Sequence, residues 1–124
     1  MHAKYLVPEV AGLYIGAPEA SVQKIAGIQQ TDEINYEKTF AKGNVQDLTC
    51  QVTFSGEKAI YEFIIEYKPG FNLKAMMLKK YGPKNNGDEW LIKLKDGLKL
   101  KIWQYKNKLC IGDSRQFENA IMAE

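Results

Sequence analysis

The chain has 124 residues, 45% hydrophobic and 26% charged, with a formal net charge of +2. That length fits one domain able to bury a core without disulfide or metal staples, and the composition is that of a globular protein. No run of 18 apolar residues occurs, so no helical membrane span is expected, and so small a net charge is weak grounds for nucleic-acid binding.

Residues 1–11 read as an irregular or extended lead-in, because Pro8 argues against a central strand. Gly12 to Gly16 is expected to be a short extended piece. Pro18 suits the first turn of a helix, where its missing N–H costs nothing. Ala20, Val22, Ile25 and Ala26 give that helix a modest apolar face through Ile28, and Gly27 weakens its end. The polar residues 29–33 form the exit loop.

Three strands are then predicted. In the first, Ile34, Tyr36 and Phe40 alternate with Asn35, Glu37 and Thr39, with Lys38 an exception on the apolar side. The second runs over 45–54, with Leu48, Cys50, Val52 and Phe54 on one face and Asp47, Thr49, Gln51 and Thr53 on the other. The third runs over 59–67, with Tyr61, Phe63, Ile65 and Tyr67 on one face and Ile60, Glu62, Ile64 and Glu66 on the other. It is apolar on both sides and therefore central.

The best-signalled element is a helix over 73–81. Asn72 is its N-cap. Leu73, Met76, Met77 and Tyr81 make one apolar stripe, and Gly82 with Pro83 ends it. Met76 and Met77 at this spacing are core residues in preference to an adaptable binding surface. After a polar loop, Trp90, Ile92 and Leu94 alternate with Leu91, Lys93 and Lys95. Asp96-Gly97 is expected as a two-residue hairpin turn. Leu98, Leu100 and Ile102 return, alternating with Lys99, Lys101 and Trp103. A second tight turn at Lys106-Asn107 or Asn107-Lys108 leads into Leu109, Cys110 and Ile111. The tail beyond Gly112 is expected to form a weak helix through Phe117, Ala120 and Ile121.

Charge is unevenly divided. Up to Glu66 there are five Lys against nine acids, a net of −4; from Tyr67 onward there are eleven Lys and one Arg against six acids, a net of +6. Such polarity can orient a partner or favour self-association; two differently solvated faces explain it equally. Cys50 and Cys110 lack C-x-x-C spacing, which excludes a zinc ribbon or thioredoxin-type motif. Cys50 alternates with core residues while Cys110 alternates against Leu109 and Ile111, so parity opposes a disulfide.

The order helix-then-three-strands occurs twice. One unit covers about 12–67, the second about 70–112, and residues 113–124 are a tail, all within a single domain. The predicted fold class is α+β: a two-layer sandwich with two helices on one face of a roughly six-stranded, mostly antiparallel sheet, built from two α-β-β-β repeats. Gly12-Leu-x-Ile-Gly16 before a helix with Val22 and Ile25, then Leu78-x-x-Tyr-Gly82-Pro, Trp90 and a Gly-closed hairpin, resemble small exported bacterial proteins of the β-lactamase inhibitor protein-like fold. The resemblance implies a periplasmic or secreted, non-enzymatic protein that binds other proteins. The chain departs from it in shorter repeats and in showing no signal or lipobox. Its opening residues have no long apolar h-region, which fits a cytoplasmic protein or a mature exported chain equally; the resemblance implies the exported chain, with a cytoplasmic protein as the alternative.

No catalytic or cofactor constellation is predicted. The single histidine, His2, is expected in a mobile terminus, which removes Ser-His-Asp and Cys-His catalysis as normally built. Neither G-x-x-x-x-G-K-[ST] nor G-x-G-x-x-G occurs. Glu62 and Glu66, with Glu37 and Asp47 nearby on the sheet, leave acid–base chemistry as a minor alternative. Asp32-Glu33 and Asp88-Glu89 lack EF-hand spacing and are read as loop residues.

The informative surface is the sheet face away from the helices, expected to carry Ile60, Glu62, Ile64, Leu91, Lys93, Lys95, Lys99, Lys101, Trp103 and Tyr105. Aromatic and aliphatic residues ringed by charge are what protein interfaces use. The expected function is a non-catalytic protein-binding module, of inhibitor or immunity type, contacting its partner through Ile64, Leu91, Lys99, Lys101, Trp103 and Tyr105. The C-terminal segment or a second copy in a homodimer could cover the same face. Lysines interleaved with aromatics also fit a single-stranded nucleic-acid binder, although arginine is nearly absent and no RNP-type motif occurs.

Overall fold

The computed structural model describes residues 2–54 and 56–116. Its centre is one seven-stranded antiparallel sheet. In chain order the strands are β1 (Gln29–Gln30), β2 (Asn35–Thr39), β3 (Val45–Val52), β4 (Ile60–Tyr67), β5 (Trp90–Lys93), β6 (Lys99–Tyr105) and β7 (Lys108–Asp113). In space the order is β1-β2-β3-β4-β7-β6-β5. A four-stranded meander, β1 to β4, and a three-stranded one, β5 to β7, therefore meet at the β4–β7 pair, and the strand expected to be central is central.

The expectation of six strands is corrected to seven. Gln29 and Gln30, expected as loop, pair with Glu37 and Tyr36 at the sheet edge. Two exposed glutamines carry no apolar alternation, so periodicity could not reveal them.

The sheet's inner face is apolar. Leu48 and Cys50 of β3, Phe63 and Ile65 of β4, Leu109 and Ile111 of β7, and Leu100 and Ile102 of β6 are all buried in one cluster. Register explains the stacking: Leu48 lies opposite Ile65, Ile65 opposite Leu109, and Ile111 opposite Ile102.

A bulge changes one assignment. Gln51 pairs with Glu62 and Val52 with Ile60, so Tyr61 is the extra residue. The bulge reverses parity and puts Ile60 on the inner face with Val52, where it is buried. The expectation that Ile60 faces outward is thereby corrected. The strand β3 also stops at Val52, and Phe54, expected in the core, is 71% exposed.

The helix α2 (Leu73–Tyr81) forms where its sequence places it. The Asn72 side chain accepts from the Ala75 N–H at 3.1 Å, and the Gly82 N–H donates to the Leu78 carbonyl at the far end. Leu73 and Met77 are buried, with Met76 and Tyr81 packed half-buried beside them. The Trp90 indole N–H donates to the Gly82 carbonyl at 2.9 Å, which ties the end of α2 to the start of β5.

The first helix, α1 (Glu19–Gln23), is much shorter than predicted, with Pro18 as N-cap. Gly27 at φ +81° stands in the left-handed region, with the Lys38 side chain only at ordinary contact distance from where a Cβ would sit. That backbone is strained for other residues, and it lies beyond the end of the helix at Gln23. The Tyr36 hydroxyl donates to Glu19 at 2.7 Å and accepts from Gln23, which fastens α1 to β2.

The lead-in is structured. Two 3-10 turns, Ala3–Tyr5 and Pro8–Val10, carry Leu6, Val7 and Val10 into the core. The Tyr81 hydroxyl donates to the Tyr5 carbonyl at 2.7 Å, pinning this segment to α2. In place of a short extended piece at 12–16, Gly12 and Gly16 both adopt positive φ, and the chain meets β4 one step later. There the Gly16 N–H donates to the Ile60 carbonyl and the Ile60 N–H to the Ala17 carbonyl.

The β5–β6 connection is a three-residue loop over Lys95, Asp96 and Gly97, closed by the Leu94 N–H donating to the Leu98 carbonyl. Gly97 at φ +89° supplies the left-handed position that such a loop requires. The β6–β7 turn is Lys106-Asn107, one of the two expected positions, with Lys106 at φ +55°. Among the described residues no helix is long and apolar enough to cross a membrane. The predicted tail helix through Phe117, Ala120 and Ile121 lies outside the described residues.

Candidate functional site: the outer face of the sheet

Strand pairing lays the outward residues in rows. One row runs Asn35, Gln51, Glu62, Gly112, Lys101, Leu91. The next runs Glu37, Thr49, Ile64, Cys110, Trp103, and the third Thr39, Asp47, Glu66, Lys108, Tyr105. The charge asymmetry of the sequence becomes a lateral polarity: Glu37, Asp47, Glu62 and Glu66 stand on β2–β4, and Lys101 and Lys108 on β6–β7, with Lys93 and Lys99 paired at the β5–β6 edge.

The β2–β3 flank is stitched by polar cross-strand bonds. Thr39 donates to Asp47 at 2.9 Å and the Gln51 amide donates to Asn35 at 2.8 Å. These bonds fix the strands in register and fill hydrogen-bonding capacity that a partner would otherwise use.

The centre of the face is buried. Glu62 is 6% exposed and Cys110 5%. Burial pushes the Glu62 carboxyl up to about 7 and the Cys110 thiol up to about 12, the latter helped by the charge of Glu62. Cys50, buried on the inner face, is also pushed up to about 12 by desolvation. The two cysteines are free. They project from opposite faces of the sheet, with β4 between their strands, so they cannot bridge.

Five of the six residues expected to bind a partner are brought together on the β5–β6 flank. Leu91 lies opposite Lys101 and Trp103 lies two residues along β6 on the same face, followed by Tyr105. Tyr105 is 56% exposed, Lys99 is exposed, and Leu91, Lys101 and Trp103 are half-buried. The Lys101 ammonium stands 5.4 Å from the centre of the Trp103 ring, and Lys106 stands 5.4 Å from that of Tyr105. Lys101 also pairs with Glu89 at 3.5 Å. Such contacts hold the aromatic rings in a defined pose. Ile64 is separate from this group: it sits on β4, across β7 from Trp103, and is half-buried.

Local pattern could not place Lys108 and Glu66 beside this patch. They pair with each other across β4 and β7, which are more than forty residues apart in sequence. Neither Glu62 nor Glu66 lines the main clefts among the described residues. The acidic loop residues have structural work. Asp32 accepts from the Ile34 and Asn35 N–H groups at 2.9 Å and from the Asn35 amide at 2.7 Å, which holds its carboxyl below the usual carboxylate range. Among the described residues no group of three or more His, Cys, Asp or Glu is placed to hold a metal ion.

The expectation of a mobile His2 is overturned. Its ring is buried, and Nε2 accepts from the Ile15 N–H at 3.1 Å. Desolvation holds its pKa below the ordinary histidine value. Comparison with known proteins found no matching family model, no matching curated protein and no matching solved structure.

Proposed function

We propose that the protein is a non-catalytic protein-binding module whose partner docks on the β5–β6 flank of the outer sheet face. The observation that carries this reading is Tyr105, a large aromatic left 56% exposed at the end of β6 after Lys99, Lys101 and Trp103, with Leu91 opposite Lys101. Exposed aromatics set among half-buried aliphatic and basic residues are what energetically dominant contacts in protein interfaces are made of. Ile64 and the acidic β2–β4 side would form the rim. Following the resemblance of residues 12–112, the proposed setting is the envelope or secreted fraction of a bacterium and the proposed role is inhibitory or immunity-type.

The test is a truncation at the half-buried ring. Trp103→Ala should weaken partner binding by about 2 kcal/mol while the fold survives. Unfolding of that variant would make Trp103 a core residue and remove it from the interface.

The two lysine–aromatic contacts on the same flank favour a second reading, a binder of single-stranded nucleic acid. Titrating a labelled oligonucleotide at rising salt separates the two. Nucleic-acid binding would be measurable at low salt and fall steeply as salt rises; no binding at low salt eliminates it.

A further inference from the structure

At the β5 edge of the sheet, a cleft of about 420 Å³ opens between the N-terminal turn and the β5–β6 hairpin. We propose that this cleft binds a phosphorylated small molecule, with Lys4, Lys93 and Lys95 supplying charge and His2 supplying a fixed hydrogen-bond donor. Its size is within the range of small-molecule sites.

The charge in the cleft is unbalanced. Lys4, Lys93 and Lys95 line it, and among the described residues none of the three has a carboxylate within ion-pairing distance. Asp96 is the one acid on the lining, and its Oδ1 is engaged by the Leu98 N–H at 3.0 Å. Three lysines against one acid leave the lining with a net positive charge. An anion in the cleft is attracted by that charge, the more so where water is partly excluded.

His2 gives the site a fixed point. Because Nε2 accepts from the Ile15 N–H, the neutral ring carries its proton on Nδ1. Burial lowers the pKa of the ring and so favours its neutral form, against the opposing charge of Asp96 on the same lining. The histidine is itself held in place, since its turn is bonded through Tyr5 to Tyr81 of α2. The buried His2 ring and the three lysines share one lining, which a solvated lysine face would not show.

The residue types narrow the ligand. Lysines are compact point charges, a common means of binding phosphate without bidentate geometry. Tyr5 and Leu94 complete the lining with an aromatic ring and an aliphatic side chain. The ligand should therefore carry an apolar or ring portion next to its phosphate.

The experiment is an amide NMR titration of the full chain with inorganic phosphate and with phenyl phosphate at 150 mM salt. Saturable shifts confined to residues 2–5 and 93–96 are expected, with phenyl phosphate binding several-fold tighter than phosphate. Lys93→Gln combined with Lys95→Gln, both at exposed positions, should weaken phenyl phosphate at least tenfold while Lys68→Gln leaves it unchanged. Shifts that never saturate, that spread over lysines outside the cleft such as Lys68 and Lys79, or that survive the double substitution would overturn the proposal.

Discussion

The two faces of one sheet make opposite use of the same strands. On β4 the inward residues Phe63 and Ile65 are fully buried among aliphatic neighbours, while one position away Glu62, Ile64 and Glu66 face outward. The inner face holds the fold together by removing apolar area from water. The outer face is laterally charged, buried at its centre and open at its β5–β6 flank. Substitutions should sort by face: inward changes cost stability, and outward changes on β6 cost recognition.

The largest expected effect is on the inner face. Phe63→Ala should destabilise by about 3–5 kcal/mol, since it removes a ring that touches both neighbouring strands and leaves a cavity; urea unfolding measures it. Loss of less than about 1 kcal/mol would mean that the inner face is not the core.

Glu62 breaks the simple division, because it is an outward residue that is buried. Its folded-state pKa of about 7 lies above the ordinary value of 4.5, so the folded protein holds a proton that the unfolded chain releases. This contribution to stability is complete below pH 4.5, is lost as pH rises from 4.5 to about 7, and is absent above that. The loss should be roughly 3 kcal/mol at most, since each tenfold change in proton affinity is worth about 1.4 kcal/mol. Unfolding measured between about pH 4.5 and 8 should show this decline, and Glu62→Gln should flatten it. His2 acts in the opposite direction. Its lowered pKa means stability present above the unfolded value is lost as pH falls, so a residual acid-side decline should persist in Glu62→Gln and vanish with His2→Gln.

Next in size is the loss of about 2 kcal/mol in binding expected from Trp103→Ala. The smallest effect tests a helix that belongs to neither face. Asn72→Ala should cost α2 about 1 kcal/mol by removing the bond to the Ala75 N–H, and circular dichroism during unfolding would register it.

Much of this is legible in the sequence where the signal is local. Asn72, the Leu73–Tyr81 stripe and Gly82 specify α2 without reference to anything distant. Alternation places Leu48, Cys50 and Val52 inward, and it separates Cys50 from Cys110. What escapes is non-local or non-periodic. The bulge at Tyr61 turns Ile60 around, and nothing in strict alternation marks where a strand takes up an extra residue. Gln29 and Gln30 pair at an edge with polar side chains that leave no pattern. His2 reads as peripheral because it is close to the terminus. Its role depends on Ile15, thirteen residues away. Of the candidate interface, the β5–β6 side follows from alternation, whereas the β4–β7 junction that sets Ile64, Glu66 and Lys108 beside it requires the tertiary fold.

The central claim is that the β5–β6 flank of the outer face is a docking surface for another protein. Its most direct test is a photo-crosslinking amino acid placed at position 105 and, as a matched control, at the exposed aromatic position 54. Irradiation in the native cell should give a discrete protein adduct from position 105 that is absent from position 54 and from position 105 combined with Trp103→Ala. Identical adduct patterns from the two positions, or none from position 105, would contradict the account.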